Sequence, residues 1–220
     1  MLKDINQDSL LNAFFLSILA TAGLFYVNLG GSFLSAFVDG LNIERDSAGF
    51  IVSANKYGAA FGGLLAAIFI RRLSWRKSSY FLLCSLILVD VISSRVPNAE
   101  LLIYIRFIHG TIGGFLVGIG LSVIARTSFP DRVFGMLMVV QYSFGSIGIF
   151  TVPRLVEIFG YEAVFFVLIS FSVMTLLIIP LIPDLKKKTA SLNTVGKLSL
   201  HLKILLGIAL LSLFLFQSSN

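Results

Sequence analysis

Residues 102–121 read LIYIRFIHGTIGGFLVGIGL, and the fold is decided there. At 1.5 Å per residue, about 20 consecutive apolar residues form a helix that crosses a bilayer core of ~30 Å. The stretch nevertheless carries Arg106 and His109. Ionisable groups inside hydrocarbon face a bundle interior or a wet cavity and mark a solute or ion path. Gly110, Gly114 and Gly118 recur every fourth residue, so one face is smooth enough for a neighbouring helix backbone to pack closely. One side is built for packing and another presents charge, the pattern expected of a core helix in a membrane transporter.

The composition agrees. Of 220 residues, 57% are hydrophobic, 21 are Phe and only 13% are charged. A soluble domain carries about twice that share of charge. The single Cys84 rules out an internal disulfide framework. The net charge of +6 does not point to nucleic acid, because the basic residues sit in short loops between apolar runs, where charge sets membrane topology.

Six apolar runs are expected to span: 10–38, 48–70, 79–96, 101–125, 133–153 and 163–182. Pro97-Asn98 punctuates the turn before the fourth run, and Gly160-Tyr161-Glu162 the turn before the sixth. Residues 185–201 read as a basic linker, and 202–220 as the start of a seventh helix, cut short. Lys and Arg are divided twelve to three between the two sets of loops, with Arg71, Arg72, Arg76, Lys77, Arg126 and Arg132 on the richer side. The positive-inside rule therefore puts the N-terminus and the linker in the cytoplasm. The two remaining cations, Lys56 and Arg106, lie inside apolar runs.

Leu102-x3-Arg106-x2-His109-Gly110-x2-Gly113-Gly114 resembles the fourth-helix motif of the major facilitator superfamily, with His109 in place of Gln and Ile112 in place of Gly. SAGFIVSANKYGAAFGGLLAA, from Ser47, is similar to the small-residue second helix of bacterial members. Pro153-Arg154-Leu155 with Gly160-Tyr161-Glu162 and Phe165 resembles the family's fifth-to-sixth helix turn. The turn after the second helix departs from the family: only Arg76-Lys77 survives, and Arg72 stands where an acid belongs. The resemblance implies an all-α polytopic membrane protein. Residues 1–184 would form the six-helix N-terminal bundle, a 3+3 inverted repeat, in the cytoplasmic (inner) membrane. It also implies a cytoplasmic gating turn of Arg72, Arg76 and Lys77, with Asp131 and Arg132 from the neighbouring loop.

Lys56 lies ~12 Å below the outer surface, Arg106 ~9 Å and His109 ~13 Å, counted along their helices. Lys56 reads either as a cavity charge that meets an anionic solute or a coupling proton, or as half of a structural ion pair or a side chain snorkelling to the outer interface. By the resemblance, Lys56, Arg106 and His109 would share a cavity with Tyr26 and Asn28 of the first helix and Gln141 and Tyr142 of the fifth. His109 could relay protons, its ordinary pKa being near neutrality, or serve only as a hydrogen-bonding stand-in for Gln. Asp90, toward the outer end of the third helix on the lipid side, is expected to pair with Arg95. Gly58, Gly62 and Gly63 with the Gly110 series, and Gly145 and Gly148 in the fifth run, are expected to permit close helix crossings.

The leading expectation is a secondary transporter of a small anionic organic solute working by alternating access, represented by its N-terminal half. Its partners would be the bilayer, the solute, a coupling proton and a missing C-terminal half, and not nucleic acid. The alternative is a non-transporting fragment, or a half that needs a partner half. No Ser–His or Asp–Asp pairing, metal-ligand cluster or nucleotide loop is visible, so no enzyme, cofactor or metal site is expected.

Overall fold

The computed structural model describes residues 9–70 and 72–183. The expected linker at 185–201 and the seventh apolar segment at 202–220 lie outside them, as does Arg71. Among the described residues the chain is all α-helical. The seven α-helices are α1 Leu10–Asn28, α2 Gly30–Ser35, α3 Arg45–Phe69, α4 Trp75–Ser93, α5 Ala99–Ile124, α6 Pro130–Phe159 and α7 Ala163–Ile178. A π-helical turn, Ala36–Gly40, follows α2, and a 3-10 turn, Ile179–Leu181, follows α7.

Five of these helices are long and apolar enough to cross a membrane: α1, α3, α5, α6, and α7 with its 3-10 extension. A multi-pass membrane protein is the architecture they support. The third expected span, 79–96, is also a helix, but it starts earlier and is less apolar than these five. As α4 it is only 19 residues long and takes in Arg76, Lys77 and Asp90, so every 18-residue stretch of it holds all three charges.

The first expected span is also not one uninterrupted helix. After Asn28 the chain passes through Leu29, whose amide still donates to the Phe25 and Tyr26 carbonyls, and then restarts as α2 and the π turn. Gly30-Gly31 supplies the local weakness where helices bend. Local chemistry sets the other ends. Ser9 Oγ accepts the Asn12 amide at 3.1 Å at the head of α1, and Asn98 Oδ1 accepts the Leu101 amide at 3.0 Å at the head of α5. α6 continues through Pro153 and stops at Gly160, whose φ of 78° favours a residue without Cβ.

Helix α5 lies at the centre, against α1, α3 and α4. Its crossing with α3 brings backbone onto backbone. A Cβ at Gly58 would strike the Phe107 carbonyl, at Gly62 the Thr111 carbonyl, at Gly110 the Asn55 carbonyl and at Gly114 the Ala59 carbonyl; at Gly118 it would meet the Ala66 methyl. Contacts advance in the same sense along both chains, so α3 and α5 are parallel. On the opposite side, Gly113 approaches Gly23 and Gly120 approaches Ala20, so α1 runs antiparallel to α5. Gly145 and Gly148 of α6 pack on Asn28 and Leu29. Gly63 takes no part in these crossings, because a Cβ there meets nothing within 4 Å. It sits one position round the helix from Gly62 and faces away.

Gly114→Ala should therefore force α3 and α5 apart and cost about 1–3 kcal/mol, as overpacking does. Gly63→Ala should be neutral or stabilise by up to ~1 kcal/mol through helix propensity. Thermal unfolding of the two variants in detergent separates them: equal midpoints would show that the crossing is not tight.

Candidate functional site

Arg106 and His109 are three residues apart, so they share one face of α5. That face looks into the bundle. Arg106 has no exposed surface, and neither has Asp90 of α4. Arg106 Nη1 donates to Asp90 Oδ1 at 2.9 Å, while Nη2 donates to Ser93 Oγ and, at 3.5 Å, to the Val89 carbonyl. The guanidinium lies 5.6 Å from the centre of the Tyr26 ring and 5.3 Å from that of Phe165, within cation–π range. A charge removed from water needs an opposite charge and hydrogen bonds in good geometry, and α4 supplies both from Asp90 and Ser93, three residues apart on one face.

His109 completes the cluster. Its Nε2 lies 3.3 Å from Asp90 Oδ1, and its Nδ1 lies 2.8 Å from the side-chain nitrogen of Asn55 on α3. The same Asn55 nitrogen donates to the Arg106 carbonyl at 3.1 Å. This short side chain spans the gap because the glycines bring the two backbones together at that level. The Tyr26 ring lies 5.6 Å from the imidazole. Five helices, α1, α3, α4, α5 and, through Phe165, α7, thus converge on one ion pair.

Of the residues singled out from sequence, Tyr26, Arg106 and His109 come together here. Asn28 and Gln141 form a separate pair, the Asn28 amide donating to the Gln141 carbonyl at 3.3 Å and the Gln141 amide reaching Asn28 Oδ1 at 3.5 Å. Lys56 is half-buried on α3, beside Asn55 in sequence but turned away from its face. Tyr142 is 67% exposed. The expected Asp90–Arg95 pair is corrected: Arg95 is exposed, and Asp90 is buried against Arg106 rather than facing lipid. Arg95 lies exposed in the turn after α4, where a charge needs no partner, whereas the buried guanidinium of Arg106 does. Asn55 and Ser93 were not singled out, and their small polar side chains carry no distinctive sequence signal. Asp90 was legible as the one carboxylate inside an apolar run, a group that must be paired.

In the first turn of α4, Arg76 donates to the Ile182 carbonyl at 2.5 Å and lies 5.1 Å from the centre of the Trp75 ring, tying the head of α4 to the residue that follows the 3-10 turn after α7. At the other end of α4, the Tyr161 hydroxyl donates to the Ser94 carbonyl at 3.2 Å. Arg72, Lys77, Asp131 and Arg132 are exposed. Among the described residues no group of three or more His, Cys, Asp or Glu side chains could hold a metal ion. No protein-family model matches the sequence, and no curated protein matches it.

Removing one partner of a buried ion pair strands the other, at a cost of about 3–5 kcal/mol. Asp90→Ala should lose that much in unfolding experiments, Asp90→Ala with Arg106→Met should recover most of it, and Arg95→Gln should change little. A double variant no more stable than Asp90→Ala would show that the stranded charge is not what costs.

Proposed function

We propose that this chain is the six-helix half of a secondary transporter of the major facilitator type, moving a small anionic solute by alternating access. The observation that carries the reading is the fully buried Arg106–Asp90 ion pair with His109 at the meeting of five helices. Membrane bundles rarely bury such groups except on solute or ion paths. The parallel course of α3 and α5 supports a sixth crossing, because the chain must return through α4 to begin α5 where α3 began. The tight glycine crossings suit helices that rock against one another. The loop charges argue for a cytoplasmic N-terminus in an inner membrane.

Arg106 is already neutralised by Asp90, so the preference for an anion rests on Lys56. That half-buried cation has no hydrogen bond or ion pair to another side chain among the described residues. It is the charge still free to meet a carboxylate or phosphate.

The test is uptake of labelled small mono- and dicarboxylates and inorganic phosphate into proteoliposomes holding the chain, alone and with a co-expressed second six-helix half. We expect saturable uptake of one anion class in one of these settings, falling at least tenfold in Lys56→Gln. Uptake insensitive to Lys56→Gln would remove the anion preference. A folded chain that moves none of these solutes in either setting would remove the transporter reading.

A further inference from the structure

The hydrogen bonds around His109 settle which of its nitrogens carries the proton. The Arg106 carbonyl can only accept, so the Asn55 side-chain atom 3.1 Å from it is the amide nitrogen and not the amide oxygen. That same nitrogen lies 2.8 Å from His109 Nδ1. It has two hydrogens, one for each neighbour, and a donor facing Nδ1 requires an unprotonated Nδ1 with its lone pair free. The ring proton therefore sits on Nε2, which lies 3.3 Å from Asp90 Oδ1. Two constraints from different helices, Asn55 on α3 and Asp90 on α4, agree on one tautomer.

We propose that Asn55 is a positioning residue that holds His109 as its neutral Nε2–H tautomer, a fixed donor aimed at Asp90, and so takes the imidazole out of any proton relay. To pick up a second proton, Nδ1 would have to turn an N–H against the Asn55 amide, which has both hydrogens committed and offers no acceptor there. The groups facing the imidazole are Asp90 from α4, Arg106 from its own helix, Tyr26 from α1 and Asn55 from α3. With His109 neutral, the cluster holds one positive and one negative charge and is neutral as a whole, the arrangement that low-dielectric surroundings tolerate. Asp90 Oδ1 takes Arg106 and faces His109, while Oδ2 has no protein donor among the described residues. Any consequence for ion coupling rests on the transporter reading; the tautomer does not.

The chain has two histidines, so His201→Gln leaves His109 as the only one. The full chain with that substitution, labelled with ring-15N histidine and held in phospholipid nanodiscs at neutral pH, gives a direct readout. An unprotonated ring nitrogen resonates far downfield of a protonated one, and couplings to the carbon-bound ring hydrogens identify which nitrogen is which. We expect an unprotonated Nδ1 and a protonated Nε2. Asn55→Asp, which offers Nδ1 an acceptor, should abolish the downfield Nδ1 signal. Asn55→Leu, which keeps the shape without the donor, should bring in a population protonated at Nδ1. A doubly protonated ring or an Nδ1–H tautomer in the unsubstituted site would overturn the proposal without needing either variant to fold. An unchanged spectrum in both folded variants would remove Asn55 from the role. The expected tautomer in a protein that moves no solute would sink the transporter reading and leave this assignment standing.

Discussion

A guanidinium with no exposed surface, among helices apolar enough to span a bilayer, is a demand that the rest of the bundle has to meet. A buried charge is costly unless it is paired and hydrogen-bonded, so the surroundings of Arg106 must supply a counter-charge and acceptors. Asp90, Ser93 and the Val89 carbonyl do so from a single turn of α4, with the Tyr26 and Phe165 rings beside the guanidinium. This accounts for the carboxylate in the otherwise apolar second half of α4. Helix α4 carries the partner that α5 needs, and its ends are held to the segments flanking α7, by Arg76 to Ile182 and by the Tyr161 hydroxyl to Ser94.

Packing and polarity are coupled at the same level of the bundle. Glycines at Gly58 and Gly110 let α3 and α5 touch backbone to backbone, and only at that distance can a side chain as short as Asn55 reach both the Arg106 carbonyl and the His109 ring. Widening the crossing would unmake the hydrogen bonds that orient His109. The cluster and the crossing are therefore one mechanical unit, and movement of α3 against α5 is felt at the ion pair. The Asn28–Gln141 pair is a second polar contact, between α1 and α6, and gives that interface its own register.

Much of the fold was legible in the chain. Apolar runs separated by Pro97-Asn98 and Gly160-Tyr161 located the helices, because backbone hydrogen bonding in apolar surroundings leaves little freedom, although α6 runs six residues past the expected end at 153. The break at Leu29 was not legible: an apolar sequence with two glycines reads the same whether it bends or not. Gly63 and Gly62 were equally indistinguishable until the face presented to α5 was known.

The site divides along the same line. Sequence alone determined that this is a multi-pass helical chain, that Arg106, His109, Lys56 and Asp90 are costly groups in apolar surroundings, and that small residues face a close neighbour. These follow from residue chemistry and helical period, which are local. Tertiary structure decided that Asp90 belongs to Arg106 and not to Arg95, that Lys56 stands apart from the cluster, and that Asn55 selects the His109 tautomer. A pairing depends on how helices are rotated and staggered against one another. That geometry is set by the sum of many crossings and is written in no single stretch of the chain.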